Sequence, residues 1–132
     1  MKKELIVVIT ILIIAVLVNF FVDKFTDKSI SSLNTKLEAV ANMANEINSE
    51  NGEQDTVVTD FKNVSEEWEK VKSKMAFYIE HDELEKVSTS IVAIEEFLKL
   101  GSYDDAIPEI KKCMFILEHI KEKQSFSIIN LF

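Results

Sequence analysis

Residues 5–22 read LIVVITILIIAVLVNFFV, and this uncharged run decides how the chain is organised. Only Thr10 and Asn19 in the run are polar. An α-helix of this length extends about 27 Å, which is close to the thickness of the hydrocarbon core of a bilayer. The many β-branched residues do not argue for a strand, because a lone strand in lipid would leave its backbone groups unpaired. The run therefore predicts a transmembrane helix.

The main alternative to a membrane anchor is a signal peptide that is cleaved off. A signal peptide has a shorter apolar core, which ends in small residues such as Ala-x-Ala. Here the run is longer and ends in Phe20, Phe21 and Val22. We therefore predict that residues 5–22 are a single-pass anchor in the cell membrane, in contact with the lipid bilayer.

The charges on either side of the run give a weak indication of its orientation. Residues 1–4 form a short basic tail with two lysines, and three lysines follow the run within residues 23–36. Because cytoplasmic loops are enriched in lysine, these numbers alone hardly favour either direction. Residues 23–132 contain 22 acidic residues and 13 lysines. The basic tail and the acidic body favour a cytoplasmic N-terminus and an extracytoplasmic C-terminal domain.

The composition of the whole chain narrows the fold class and the possible partners. The 132 residues suit one small domain, and only 2 Gly and 1 Pro occur among them. So few turn-forming residues favour an all-α fold. The net charge is −8 and all 15 basic residues are lysine. Since nucleic-acid binding begins with a cationic surface, we expect no nucleic acid among the partners.

An amphipathic pattern follows the anchor with no Gly or Pro between them. The stripe recurs every three or four residues, as on one face of an α-helix. Its positions are Val22, Thr26, Ile30, Leu33, Leu37, Val40, Ala44 and Ile47. We predict that residues 23–48 form an amphipathic helix continuing from the anchor. The alternative is a break near residues 29–32, where serines could cap a new helix. The polar residues 49–55 predict a loop.

A heptad-like seam marks the second helix, which we place at about residues 56–80. Its side chains are spaced by four and three residues, as in a coiled coil. They are Val57, Phe61, Val64, Trp68, Val71, Met75 and Tyr78. Trp68 lies in the middle of the seam and is expected to be the largest core side chain of a helical bundle. The alternative role for Trp68 is a platform on which a ligand stacks.

Two further helices are predicted after residue 80. Asp82 and Glu85 have the spacing of a capping box at the start of the third helix, and Gly101 is a typical stop at its end. Ser102 can cap the fourth helix, in which Pro108 should produce a kink or delay the start. The inner faces carry Leu84, Val87, Ile91, Ile94 and Leu98, and then Ala106, Ile110, Cys113, Leu117 and Ile120. Residues 56–132 are thus expected to form a three- to four-helix bundle with an apolar C-terminal tail.

Several short motifs occur in the order found in a known bacterial family. They are a lysine start before one anchor helix, WEK at 68–70, His-Asp-Glu at 81–83, LEHI at 117–120 and NLF at 130–132. In this order the chain resembles the family known as domain of unknown function 4363. The resemblance implies an anchored helical protein of Gram-positive-type bacteria and brings no activity, cofactor or catalytic residue. Pro108 departs from the pattern, in which this helix has strong helix formers.

The two histidines and the single cysteine are the candidates for chemistry. His81 lies at a helix junction, where a capping or packing role is expected. His119 lies near the expected end of the fourth helix, where the helix dipole favours a charged ring. A metal-dependent activity at either histidine is the alternative, but HExxH and CxxC are absent from the sequence. Cys113 falls on an apolar face and is expected to be a buried thiol. We expect no enzyme, cofactor or metal site.

The sequence therefore favours an interaction protein of the bacterial envelope. Its expected partner is a protein in the membrane or envelope, or a second copy of the chain bound through the heptad stripes. The alternative function is a small extracytoplasmic sensor or ligand-binding module. The tail, from Phe126 onwards, is expected to dock mainly on the bundle and to leave part of its apolar surface to a partner. The alternatives are that it lies at the membrane interface beside the anchor or binds a partner protein entirely. The candidate core or interface residues are Trp68, Met75, Tyr78, His81, His119, Phe126, Leu131 and Phe132.

Overall fold

The chain folds into four helices, as a computed structural model shows for the backbone of residues 1–49 and 54–131 and for the side chains of residues 1–47 and 54–126. The helices are α1 (Lys2–Ser49), α2 (Gln54–Met75), α3 (His81–Lys99) and α4 (Tyr103–Leu131). The described part of the chain contains no strand. The predicted all-α class is confirmed.

Helix α1 runs without interruption from the apolar segment into the bundle. Its 48 residues extend about 70 Å, and no break occurs at residues 29–32. The side chains of residues 1–18 are all exposed, whereas one face is buried from Thr26 onwards. The N-terminal part of α1 is long and apolar enough to cross a membrane. Of the two alternatives, the continuous helix is therefore correct.

The four helices form a bundle in which neighbours in sequence are neighbours in space. Helix α1 packs against α2 and α4, and α3 also packs against α2 and α4. The core is built from the predicted stripes. Its largest fully buried side chains are Trp68, Phe61, Ile30, Leu33, Leu37, Met75, Leu84, Ile94, Leu98, Ile110, Leu117 and Ile120. Each described helix thus has one face in a common core, which is how amphipathic helices bury their apolar stripe.

Several helix boundaries differ from the prediction. Ser49, Gln54 and Asp55 are helical although the loop was predicted at residues 49–55, and residues 50–53 lie outside the described residues. Helix α2 ends at Met75, five residues before the predicted end, and a turn follows over residues 76–79. Tyr78 therefore leaves the seam and lies half-buried in this turn. Helix α3 begins at His81 with Glu80 as its N-cap and has no side-chain cap bond, so the capping box predicted at Asp82 and Glu85 is wrong. Helix α3 instead starts with backbone hydrogen bonds alone, because the amides of Glu83 and Leu84 donate to the carbonyl of Glu80.

The connection from α3 to α4 has the predicted glycine. Gly101 has a φ of 69°, and its amide bonds to the carbonyl of Leu98 while the amide of Ser102 bonds to that of Phe97. These two bonds form a Schellman motif, which ends a helix at a left-handed residue. Helix α4 starts directly afterwards at Tyr103, so Pro108 lies inside the helix and does not delay its start.

Candidate functional site

The heptad side chains of α2 are buried in the core of the bundle. Trp68 and Met75 are both fully buried, and the indole Nε1 of Trp68 donates a hydrogen bond of 2.9 Å to Oγ of Ser88. An indole with this burial has its ring packed on all sides and its single donor satisfied. Trp68 therefore offers no platform for stacking a ligand, and the heptad stripe offers no free surface to a second chain.

The two histidines lie on the surface of different helices. His81 is the first residue of α3, where its side chain is 79% exposed and its Nε2 lies 3.6 Å from Oε1 of Glu85. The expected capping or packing role of His81 is thus wrong, because Glu80 is the N-cap of α3, no side chain caps this helix, and the His81 ring lies in solvent. His119 is exposed twelve residues before the end of α4, so the expected dipole effect at a helix end does not apply. Among the described residues, no three His, Cys, Asp or Glu side chains are grouped to hold a metal ion.

A small polar cluster of Ser90, Glu109 and Cys113 lies between α3 and α4. The hydroxyl of Ser90 is buried and donates to Oε1 of Glu109 at 3.0 Å. Cys113 is fully buried beside it, and this burial raises the pKa of its thiol to about 11, with a smaller opposing effect from the Ser90 hydrogen bond. The thiol therefore stays protonated at neutral pH, where a nucleophilic role would need the thiolate.

An open groove lies on the outer side of this cluster, between α3 and α4. We call it the α3–α4 groove. Its lining includes Lys86, Ser90, Glu109, Lys112, Phe115 and Ile116, and its volume is about 710 Å³. Phe115 is 74% exposed at its edge, although most large apolar side chains of α3 and α4 are buried. Aromatic residues are enriched in the cores of protein–protein interfaces, and polar residues form their rims.

A second surface lies at the end of the bundle next to the apolar half of α1. We call it the anchor-side end. Thr26 donates from Oγ1 to the carbonyl of Val22 at 2.8 Å. Since its proton is used there, the hydroxyl of Tyr78 is the donor in the 2.7 Å bond between Oη of Tyr78 and Oγ1 of Thr26. Burial raises the pKa of the Tyr78 hydroxyl. This bond ties the turn between α2 and α3 to α1 just beyond the apolar run.

Two charged contacts place α2 and α4 at the same level of α1. Nζ of Lys121 lies 3.0 Å from Oδ1 of Asp27, and the hydrogen bond to Asp27 raises the pKa of Lys121. Nζ of Lys74 lies 5.4 Å from the centre of the Phe25 ring, within the range of a cation–π contact. The anchor-side end is therefore built from α1, the turn after α2, and α4.

Two large apolar side chains are exposed at the anchor-side end. Phe77, in the turn after α2, is 91% exposed, and Phe126, near the end of α4, is 63% exposed. The expected docking of the tail on the bundle is thus wrong at Phe126, and the side chains of residues 127–132 lie outside the described residues. Phe77 was not among the predicted residues, although the uncharged sequence MAFYI at 75–79 could have indicated it. Leu131 belongs to α4, but its side chain and the whole of Phe132 lie outside the described residues.

A cavity of about 130 Å³ lies at the same end, lined by Tyr78, Ile79, Glu80, Glu83, Ile120, Lys123 and Gln124. It is smaller than the roughly 300–1,000 Å³ of pockets that enclose small-molecule ligands. Lys123 closes one side, with Nζ 3.6 Å from Oε1 of Glu80 and 3.7 Å from Oε1 of Glu83. This ion-paired cavity has little room for a ligand.

Comparison with protein families gives a match that covers most of the chain. The sequence model of the family described as a domain of unknown function (DUF4363) matches residues 20–131. Comparison with curated proteins and with solved structures gave no match. The matched range begins at the end of the apolar run, so it contains the whole bundle. The chain therefore belongs to the DUF4363 family.

Proposed function

We propose that the chain is a single-pass membrane-anchored interaction protein of the bacterial envelope. The observation that carries this proposal is the unbroken course of α1, whose exposed apolar half continues directly into the buried face of the bundle. A helix without a hinge holds the bundle at a fixed distance and rotation relative to the membrane. Such rigid presentation serves a protein that must meet another molecule in or near the bilayer.

The proposed orientation places the N-terminus in the cytoplasm and the bundle outside. Lysines flank both ends of the apolar run, so the basic residues alone hardly separate the two directions. Residues 23–132 contain 22 acidic residues and 13 lysines, and we propose that this acidic body is the part outside the cytoplasm. A reporter that is active only outside the cytoplasm, fused after the last residue, tests this orientation. An inactive reporter on a full-length chain would overturn it.

The interaction is proposed to use the α3–α4 groove, with a protein of the membrane or envelope as the partner. Phe115 supplies an exposed apolar anchor, and Lys112 and Glu109 supply charges around it. A catalytic role has less support, since the buried Cys113 is protonated and both histidines are solvent-exposed single groups. A ligand-binding module has less support because the core is filled by Trp68 and its neighbours, and because the α3–α4 groove is open to solvent and does not enclose a ligand.

Photo-crosslinking in membranes tests the groove as a binding site. A photoreactive amino acid replaces Phe115 in one variant and Lys62, an exposed residue of α2, in a matched control. We expect one adduct of defined mass from position 115 and none from position 62. An adduct of twice the chain's own mass would identify a second copy as the partner. Equal adduct patterns at both positions would contradict a binding site in the groove.

A further inference from the structure

Three uncharged segments meet at the anchor-side end. Helix α1 carries no charge from Leu5 to Val22, the turn after α2 is uncharged over residues 75–79, and α4 is uncharged over residues 124–131. The opposite end of the bundle differs, since Asp55, Lys99 and the first turn of α4 carry charges there. The three uncharged segments thus lie together at one end of the bundle, with charged residues such as Asp23, Lys74 and Lys123 beside them.

The depth of α4 relative to α1 follows from two contacts. Lys121 pairs with Asp27, and Nδ2 of Asn34 donates to Oε2 of Glu118 at 3.2 Å. Both helices rise about 1.5 Å per residue in opposite directions, which places Phe126 about level with residues 22–26 of α1. The end of α4 at Leu131 is then about level with residues 17–21, beside the apolar run.

The turn after α2 lies at the same depth as Phe126. The hydroxyl bond between Tyr78 and Thr26 and the contact between Lys74 and Phe25 hold the turn beside residues 25–26 of α1. Phe77, next to Tyr78, is 91% exposed. Both exposed rings therefore lie within a few residues of the point where the apolar run ends.

We propose that the anchor-side end rests on the bilayer and that Phe77 and Phe126 insert into the lipid interface beside α1. The apolar faces of interfacial helices, which carry Trp, Phe and Leu, are buried by about 5–10 Å at the boundary between headgroups and acyl chains. Since α1 enters the membrane at this same end, lipid is the surface that the two rings meet first. The proposal rests on α1 spanning the membrane, but it holds for either orientation.

The charged residues around the two rings fit this placement. Lys74 and Lys123 lie next to the turn and the α4 tail, and both have long aliphatic stems. Such stems lie along apolar surface while the ammonium group reaches the aqueous side of the interface. Glu80 and Glu83 pair with Lys123, so these carboxylates are partly neutralised where they approach the headgroups.

Tryptophan scanning in vesicles tests the proposal. Trp68 is the only tryptophan, so a Trp68→Phe background makes each introduced tryptophan the single emitter. Phe77→Trp and Phe126→Trp probe the anchor-side end, and Leu100→Trp is the matched control because Leu100 is 74% exposed at the far end. The full chains are reconstituted into phosphatidylcholine vesicles, with or without brominated acyl chains. We expect roughly a twofold loss of emission at positions 77 and 126 and no loss at position 100.

The possible outcomes separate this proposal from the proposed function. Emission at position 77 that is no more quenched than at position 100, in chains that float with the vesicles, would overturn the lipid contact while the anchor stands. Such a result would leave this end free for a protein partner. Quenching at position 126 but not at position 77 would also overturn the proposal, because the turn after α2 would then be in water and not in the lipid interface. Chains that fail to float would contradict the span itself. The Trp68→Phe substitution could itself prevent folding, so the series is repeated with Trp68 in place. The buried Trp68 ring then adds the same emission to every variant.

Discussion

Trp68 shows how much one side chain contributes to this bundle. It is fully buried, and its indole is hydrogen bonded to Ser88. Trp68→Ala removes the ring and leaves a cavity, so we expect the free energy of unfolding to fall by about 3–5 kcal/mol. Urea denaturation of the full chain in detergent, followed by far-UV circular dichroism, measures the change.

Trp68→Phe is the matched control for the ring. It keeps most of the apolar volume and removes the donor to Ser88, whose hydroxyl is only partly buried. The expected loss is about 1–2 kcal/mol, clearly smaller than for alanine. A loss below about 1 kcal/mol for Trp68→Ala would contradict the buried position of the ring.

Cys113 gives a pH-dependent test of the same core. Its thiol has a pKa of about 11 in the bundle, because burial disfavours the thiolate, against 9.0 when unperturbed. The native state thus keeps a proton between pH 9 and 11 that the unfolded state loses. This contribution to stability is fully present below pH 9 and is lost as the pH rises through that window.

Comparison with Cys113→Ala isolates the contribution of the thiol from that of the other groups in the chain. We expect the stability of the natural chain, relative to this variant, to fall between pH 9 and 11. Iodoacetamide should also react far more slowly with the folded chain than with the urea-unfolded chain at pH 8. Equal alkylation rates in the two states would show that the thiol is accessible.

At this scale the sequence predicts burial well and exposure poorly. Trp68, Met75 and Cys113 are buried because spacings of three and four place them on one helical face. The position of Tyr78 depends on its bond to Thr26, which is 52 residues away in the chain. A contact of that kind has no signature in the local pattern. The exposure of Phe77 likewise follows from the end of α2 at Met75.

At the scale of elements, Gly101 controls the turn between α3 and α4. Its φ of 69° lies in the left-handed region, where a side chain costs about 1–2 kcal/mol. A Cβ on Gly101 would meet Nε2 of Gln54 at 3.8 Å, an ordinary contact, so the cost comes from the backbone. We therefore expect Gly101→Ala to lower the free energy of unfolding by about 1–2 kcal/mol, measured by urea denaturation in detergent.

Gly101→Asn is the control for the backbone conformation. Asparagine tolerates the left-handed region better than alanine does, so its loss should be the smaller one. If asparagine were as costly as alanine, a steric conflict near Gln54 would explain the loss better than the backbone. Gln54 also donates from Nε2 to the carbonyl of Lys99 at 2.9 Å, which links the start of α2 to the end of α3.

The sequence predicted which segments form helices better than it predicted where the helices end. Continuous spacing with no Gly or Pro made α1 one helix through residues 29–32, because serines alone do not end a helix whose face is buried. The early end of α2 could not be read from the sequence, since the seam continues in register to Tyr78. The bundle needs a reversal before α3, and the turn over residues 76–79 provides it.

At the scale of the whole molecule, the sequence predicts the components and the structure supplies their arrangement. Four amphipathic segments joined by short connections predict antiparallel neighbours, as the structure has them. The anchor-side end could not be predicted in this way. It depends on the relative depth of α1, the turn and α4, which the contacts of Thr26 and Asp27 set. Local periodicity contains no information on that depth.

The last prediction concerns the proposed insertion of the whole chain into the membrane. The lysines on the two sides of the apolar run are nearly balanced, so small changes of charge should shift the orientation. Lys2→Gln with Lys3→Gln removes two charges from the proposed cytoplasmic side. Lys24→Gln with Lys28→Gln removes two from the other side, where both residues are exposed.

With a reporter active only outside the cytoplasm, we expect the first pair to lower activity by at least about twofold. The second pair should leave activity unchanged or raise it, because the remaining lysines then favour the proposed orientation more strongly. Equal effects of the two pairs, at equal amounts of full-length chain, would show that lysine balance does not set the orientation of this protein.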